Sequence, residues 1–171
     1  MWNSSAPAGG ARSKTRAVGA KCADVMSAAE PVIVGFLCSW CAYRAADAAG
    51  VSRISLAPNM RPIQVMCSSR VDPEMVLKAF REGADGVLII GCHPGACHYV
   101  DGSLKALKRF TLLRMLLPQL GLEKERLQLA WAAASESEVL AAAIDRMTGQ
   151  LRALGPLQWP GTVLRRQGLG G

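Results

Sequence analysis

Residues 32–41 read Val32-Ile33-Val34-Gly35-Phe36-Leu37-Cys38-Ser39-Trp40-Cys41. The first six are apolar without a break and rich in β-branched side chains, as in a strand buried on both faces. Two thiols follow at once. The same order recurs twice: residues 62–66 run into Cys67, and residues 86–91 run into Cys92 and Cys97. In an open α/β sheet the carboxyl ends of parallel strands face one crevice, where ligands bind. Three such strand ends would bring Cys38, Cys41, Cys67, Cys92 and Cys97 together from distant parts of the chain.

The segments between these strands carry helix signals. Residues 39–49 are Ala-rich, and Gly50 is placed to end a helix there. Pro58, Asn59 and Pro62 mark a turn-rich stretch before a short second strand at 63–66. Asp72-Pro73-Glu74 predicts a helix start, with Asp72 as N-cap, Pro73 in the first position and Glu74 at the positive end. Val76, Leu77 and Phe80 give that helix its apolar face, and Gly83 stops it. Residues 103–120 read as a long helix with Lys105, Lys108 and Arg109 on one side and leucines on the other. Pro118 should fray its last turn. Residues 127–131 form a fourth strand. Ser135 and Glu138 suggest a capping box for a last helix at about 136–153. The alternation predicts an α/β fold, a flavodoxin-like or Rossmann-like doubly wound parallel sheet of about four strands in the order 2-1-3-4.

The chain has 171 residues and a formal net charge of +7. Its ends exaggerate that charge: residues 31–155 hold 14 basic and 11 acidic groups, a net of +3. No basic stripe is interleaved with aromatics, so no nucleic-acid partner is expected. No apolar run reaches the roughly 18 residues of a membrane span. Residues 1–30 are basic and rich in Ala, Ser and Gly, and lack the apolar segment of a secretory signal. They read as a flexible extension, residues 31–155 as the working domain and 156–171 as a Gly-rich tail. A cytoplasmic location follows, where clustered thiols serve metal or redox chemistry more often than structural disulfides. Cys22, in the extension, reads as incidental.

Cys38-Ser39-Trp40-Cys41 alone is ambiguous between a thiol–disulfide redox pair and two metal ligands. A redox pair needs two thiols, and here three more arrive. Pro94-Gly95 forces a turn between Cys92 and Cys97 that can aim both at one centre. Soft thiolates select zinc or iron–sulfur clusters, and four suffice. Backbone N–H groups in such turns, with the helix ends behind them, would stabilise an anionic thiolate site. Buried cysteines also pack well near strand ends, which would account for one of them but not five. His93 and His98 are expected to hydrogen-bond loop or cluster sulfurs rather than to ligate. Trp40 and Tyr99 are candidates to screen the site from water. Arg44 and Arg70 are candidates to tune it by charge. A flavin in the same crevice ranks last, because these loops are rich in Cys rather than in Ser, Thr and Gly for a phosphate.

Four strings carry a family resemblance: Gly35-Phe36-Leu37-Cys38-Ser39-Trp40-Cys41, Val65-Met66-Cys67-Ser68-Ser69-Arg70-Val71-Asp72-Pro73, Gly83-Ala84-Asp85-Gly86-Val87 and Gly91-Cys92-His93-Pro94-Gly95-Ala96-Cys97-His98-Tyr99. Over residues 31–155, through Trp131 and the Ser135 region, the chain resembles the delta (iron–sulfur) subunit of methyl-viologen-reducing hydrogenase. The resemblance implies an electron-transfer subunit with one 2Fe–2S cluster. Its implied partners are a hydrogenase, or other oxidoreductase subunits, and a flavin-containing, heterodisulfide-reductase-like subunit, in a complex that can bifurcate electrons. All five cysteines of the family pattern are present, one more than a cluster needs. The spare thiol is expected among Cys38, Cys41 and Cys67. The alternatives are a thiol–disulfide oxidoreductase using Cys38 and Cys41, and a structural zinc module.

Overall fold

A computed structural model describes residues 30–159. The expectations for residues 1–29 and 160–171, Cys22 among them, lie outside the described residues. Four parallel strands are laid out in the order β2-β1-β3-β4: β1 Ile33–Cys38, β2 Met60–Val65, β3 Gly86–Gly91 and β4 Leu127–Trp131. Four helices connect or follow them: α1 Ala42–Val51, α2 Pro73–Arg81, α3 Gly102–Leu116 and α4 Ser137–Leu154. The predicted strand order and parallel sense hold. Helices α1 and α4 pack over one face, with Leu37, Leu88, Ile90 and Ile144 in their core. Helices α2 and α3 cover the other, around Phe36, Phe80, Val87 and Leu113. No helix among the described residues is long and apolar enough to cross a membrane.

The central strands are the most apolar because both faces are covered; every residue of β3 is buried. Strand β2 is different. It lies at the edge, with its middle residues exposed, and it begins at Met60 rather than at 63. An edge strand tolerates Pro62 because its outer side needs no ladder donors, so the proline does not stop the strand as composition suggests. Val65 ends β2, which leaves Met66 outside it.

Two helix starts differ from expectation. Residues 39–41 form a turn, not the first turn of α1. The Ser39 N–H and hydroxyl both donate to the Val65 carbonyl, at 2.8 and 3.0 Å, and tie this turn to the end of β2. Gly50 is inside α1, which runs on to Val51. No capping box forms at α4, since Glu136 rather than Ser135 occupies the N-cap position and makes no cap bond to the helix. Asp72 does hold the N-cap position of α2, but its carboxylate pairs with Arg109 at 3.1 Å. Pro118 ends α3 as expected: the last residues, Leu117–Leu120, tighten into a 3-10 turn.

Two buried charged side chains tie the far end of the sheet. Asp85 accepts the N–H of Val32 at 3.0 Å and of Leu157 at 2.8 Å, so the packed structure continues past residue 155. Arg126, 1% exposed, donates to the carbonyls of Asp85 and Gly155, both at 3.1 Å, and to the Glu123 carboxylate at 2.7 Å. Burial of an arginine is tolerable only with such full satisfaction.

Candidate metal centre

Strand register brings the thiols together. Cys38 is opposite Val65 across β1 and β2, and Leu37 is opposite Ile90 across β1 and β3. The three strands therefore end level, and the next residues of each turn toward the same edge. Cys38 closes β1, Cys41 precedes α1, Cys67 precedes the 3-10 turn Ser68–Arg70, and Cys92 follows β3. Cys97 comes from the loop before α3, where Val100 donates its N–H to the Cys97 carbonyl at 2.9 Å. All five are reduced; four are buried and Cys97 is half-buried.

The five divide into three and two. The sulfurs of Cys38, Cys41 and Cys92 lie within 4.8 Å of one another, with Cys92 at 2.9 Å from Cys41 and 3.8 Å from Cys38. Cys67 and Cys97 meet at the start of α3. A Cβ on Gly102 would stand 2.5 Å from the Cys67 sulfur and 2.9 Å from that of Cys97, closer than packed atoms approach. Only glycine lets α3 begin there. Between the groups, Pro94-Gly95 makes the predicted turn: the Ala96 N–H donates to the His93 carbonyl at 3.0 Å, and Gly95 takes φ +88°. Pro followed by a positive-φ Gly is the pattern of a type II turn.

Thiols packed this closely cannot ionise independently. The Cys41 thiol beside it, with backbone N–H groups at Trp40 and Ser68, pulls the Cys38 thiol down to about 5 against the opposing effect of burial. Cys41 moves strongly up, because its proton is shared with Cys38 and burial opposes a second charge. The shortest sulfur contact nonetheless runs from Cys92 to Cys41, so the three behave as one unit. Burial is the main cause that pushes Cys92 up. The group holds one negative charge readily and resists further charges without a cation. A soft metal centre would supply that cation.

The donors fit an iron–sulfur or zinc centre. Three buried thiols converge and two more flank the close approach at Gly102. Ser103, the next residue, is fully buried, and its hydroxyl has no hydrogen-bond partner among the described residues. Buried hydroxyls are rarely left unpaired, and a sulfur-rich centre beside α3 would offer an acceptor.

The outer wall is aromatic. Trp40 stacks on His98 with centroids 3.7 Å apart, and His98 meets Tyr99 edge-on at 5.0 Å. The indole N–H of Trp40 donates to the Tyr99 hydroxyl at 3.3 Å. Arg44 lies over the Trp40 ring at 5.5 Å. A cavity of about 270 Å³ opens here, lined by Trp40, Cys41, Cys92, His93, His98 and neighbouring alanines. A larger cavity of about 1040 Å³ lies along β2 and α2 and is lined by no cysteine or histidine, so the thiol chemistry belongs to the smaller one.

Among the described residues neither histidine ring is bonded to a cysteine sulfur, although the His98 backbone N–H donates to the Cys92 thiol. His93 Nε2 pairs with the Glu136 carboxylate at 2.7 Å, and Glu136 also accepts the Ala133 N–H at 2.7 Å. These contacts lower the Glu136 carboxyl, the Ala133 N–H most and His93 next. His98 is engaged in the aromatic stack. Arg109 also departs from a free basic face: besides Asp72, it donates to the Ser69 carbonyl in the loop after Cys67. Glu136, Ser103 and Gly102 were not legible as site residues. Only Gly102 leaves a trace in the sequence, as a glycine where a helix begins.

The sequence pattern of the family described as methyl-viologen-reducing hydrogenase, delta subunit, matches residues 33–155. The vhc iron-sulfur subunit of the F420-non-reducing hydrogenase of Methanococcus voltae is 50% identical over 127 residues, 74% of this chain and 88% of that protein. The corresponding iron-sulfur subunit of Archaeoglobus profundus is 46% identical over 130 residues, 76% of this chain and 95% of that one. A longer protein, one of the subunits of the ferredoxin:CoB-CoM heterodisulfide reductase of Methanosarcina mazei, is 42% identical over 137 residues, 80% of this chain but only 17% of its own length.

Proposed function

The chain belongs to the methyl-viologen-reducing hydrogenase delta-subunit family, and on that premise we propose that it is an electron-transfer subunit holding one 2Fe–2S cluster. It would relay electrons between a hydrogenase, or other oxidoreductase subunits, and a flavin-containing, heterodisulfide-reductase-like subunit, in the cytoplasm. The observation that carries this reading is the convergence of five thiols from three level strand ends, three of them buried within 4.8 Å. The match to part of a heterodisulfide reductase protein supports the second partner, because in that relative a domain of this kind and the rest of the protein are one chain.

When bound, the cluster supplies a one-electron couple. The chain's own residues do the rest. Cys38, Cys41 and Cys92 present thiolates whose charge is stabilised by backbone N–H groups. Cys97 is the fourth ligand in this reading. Cys67 is the spare thiol, being the one member of the Cys38, Cys41 and Cys67 set outside the triad. Trp40, His98 and Tyr99 keep water from the triad's outer side, and burial there strengthens local electrostatics.

The low Cys38 value favours a second reading, a thiol–disulfide oxidoreductase. Against it, Cys38 is 1% and Cys41 5% exposed, and a nucleophilic thiol must reach its substrate. Single Cys→Ser variants decide between the two. The relay predicts loss of iron and visible colour in the Cys38, Cys41, Cys92 and Cys97 variants, colour retained in Cys67→Ser, and no insulin reduction in any. Insulin reduction that survives loss of Cys67, Cys92 and Cys97 would establish the oxidoreductase instead.

A further inference from the structure

Helix α3 is apolar on the side that faces away from the protein. Its buried stripe is Gly102, Ser103, Ala106 and Leu113. On the opposite side Leu104, Lys108, Thr111 and Met115 recur at the i, i+4, i+7 and i+11 spacing of one helix face. Leu112 lies beside them; it is 65% exposed and Met115 69%. Thr111 turns its hydroxyl back to the Leu107 carbonyl at 2.9 Å, which leaves its methyl outward. Among the described residues, eight of the fourteen exposed large hydrophobic side chains fall between residues 99 and 120. Concentrated apolar surface marks an interaction site.

A second observation comes from the loop that feeds this helix. Val100 has φ 63°, a left-handed conformation that costs an L-residue about 1–2 kcal/mol and suits a β-branched one least. Its side chain is 84% exposed, so packing within the chain does not offset that strain. Strain held at the rim of a site is a pointer to function.

Building on the relay reading above, we propose that the outer face of α3, with Val100, docks the electron-exchanging protein partner through an apolar patch rimmed by carboxylates. The charges choose that occupant. Between residues 99 and 120 the basic groups are Lys105, Lys108, Arg109 and Arg114. Lys105 is paired at 3.1 Å with Asp101, the one acid of the segment, and Arg109 with Asp72, so the segment keeps an excess of positive charge at Lys108 and Arg114. A two-fold contact between copies would set these like charges against one another. A partner with acids at the rim is attracted and oriented by them. Position fits as well: α3 begins on the sulfurs of Cys67 and Cys97, so a partner over its first turns comes within about one helix diameter, ~10 Å, of them.

The test uses the native assembly, isolated anaerobically through a tag on this chain and treated with a zero-length carbodiimide, which joins touching lysines and carboxylates. Lys105 or Lys108 is expected to couple to an Asp or Glu of a co-purifying oxidoreductase protein. The combined variant Leu104→Gln, Leu112→Gln, Met115→Gln should lower recovery of that partner at least tenfold, while the chain keeps its own visible spectrum and melting temperature. Lys108→Glu, which removes no ion pair among the described residues, should lower that recovery in the same direction. Coupling only within the chain or to a second copy, full recovery with both variants, or binding of α3 to anionic phospholipid vesicles in place of a protein would overturn the proposal. Iron analysis of the same samples separates the two claims. Coupling at these lysines in an iron-free chain would leave the docking face standing and remove the relay, and iron with coupling elsewhere would do the reverse.

Discussion

Gly102 shows how much of the site rests on one missing methyl group. Its hydrogen faces the sulfurs of Cys67 and Cys97, and the backbone of α3 reaches them only because no Cβ intervenes. Gly102→Ala is a substitution helices ordinarily favour. Here it is expected to cost about 1–3 kcal/mol through overpacking and to lower iron content measured on purified protein. Unchanged iron with raised stability would show that the close approach is unimportant. The five cysteines were legible because each follows an apolar run that reads as a strand, and strand ends in a parallel sheet share an edge. The roles of His93 and His98 were not. Their partners are set by tertiary contact: Glu136 is 43 positions away from His93, and Trp40 is 58 from His98. A second expectation concerns Ser103. Ser103→Ala removes a buried hydroxyl without a partner among the described residues, so thermal stability should hold or rise slightly, while the reduction potential measured by redox titration shifts downward as a hydrogen bond to the centre is lost. An unchanged potential would place the hydroxyl outside the site.

At the scale of elements, continuous apolar runs gave the inner strands and turn residues gave most boundaries. The departures occur where tertiary contacts override local signals. Pro62 belongs to a strand because that strand is at the edge. Ser39 belongs to a turn because Val65 claims both its donors. Glu136 is drawn from helix capping to His93 and Ala133. The short segment Lys124–Arg126, which leads into β4, carries a charge that no periodicity reveals, since Arg126 is buried. Its guanidinium holds the Glu123 carboxyl below its ordinary value of 4.5, with burial opposing. A carboxyl depressed in the folded state adds stability that is complete above the unfolded value and is lost as pH falls through the folded one. Between about pH 6 and about pH 3 the urea midpoint of the protein should therefore fall more steeply than that of Glu123→Gln; parallel curves would contradict this pairing. Arg126→Met removes its hydrogen bonds to the carbonyls of Asp85 and Gly155, and should cost about 3 kcal/mol in urea unfolding.

At the scale of the whole molecule, the doubly wound order was readable because four strand–helix units in sequence leave few right-handed arrangements. The outward apolar face of α3 was not. The sequence places leucines on one side of that helix and basic residues on the other, whereas the structure distributes the leucines around it. In the proposal above that face is covered by a protein partner with acids at its rim. The central claim can be tested without that partner. The chain is purified anaerobically, iron, acid-labile sulfide and zinc are quantified, and the visible spectrum is followed as dithionite is added. The account predicts about two iron and two sulfide per chain, with a brown colour that bleaches on reduction. A colourless protein with about one zinc and no sulfide would contradict it.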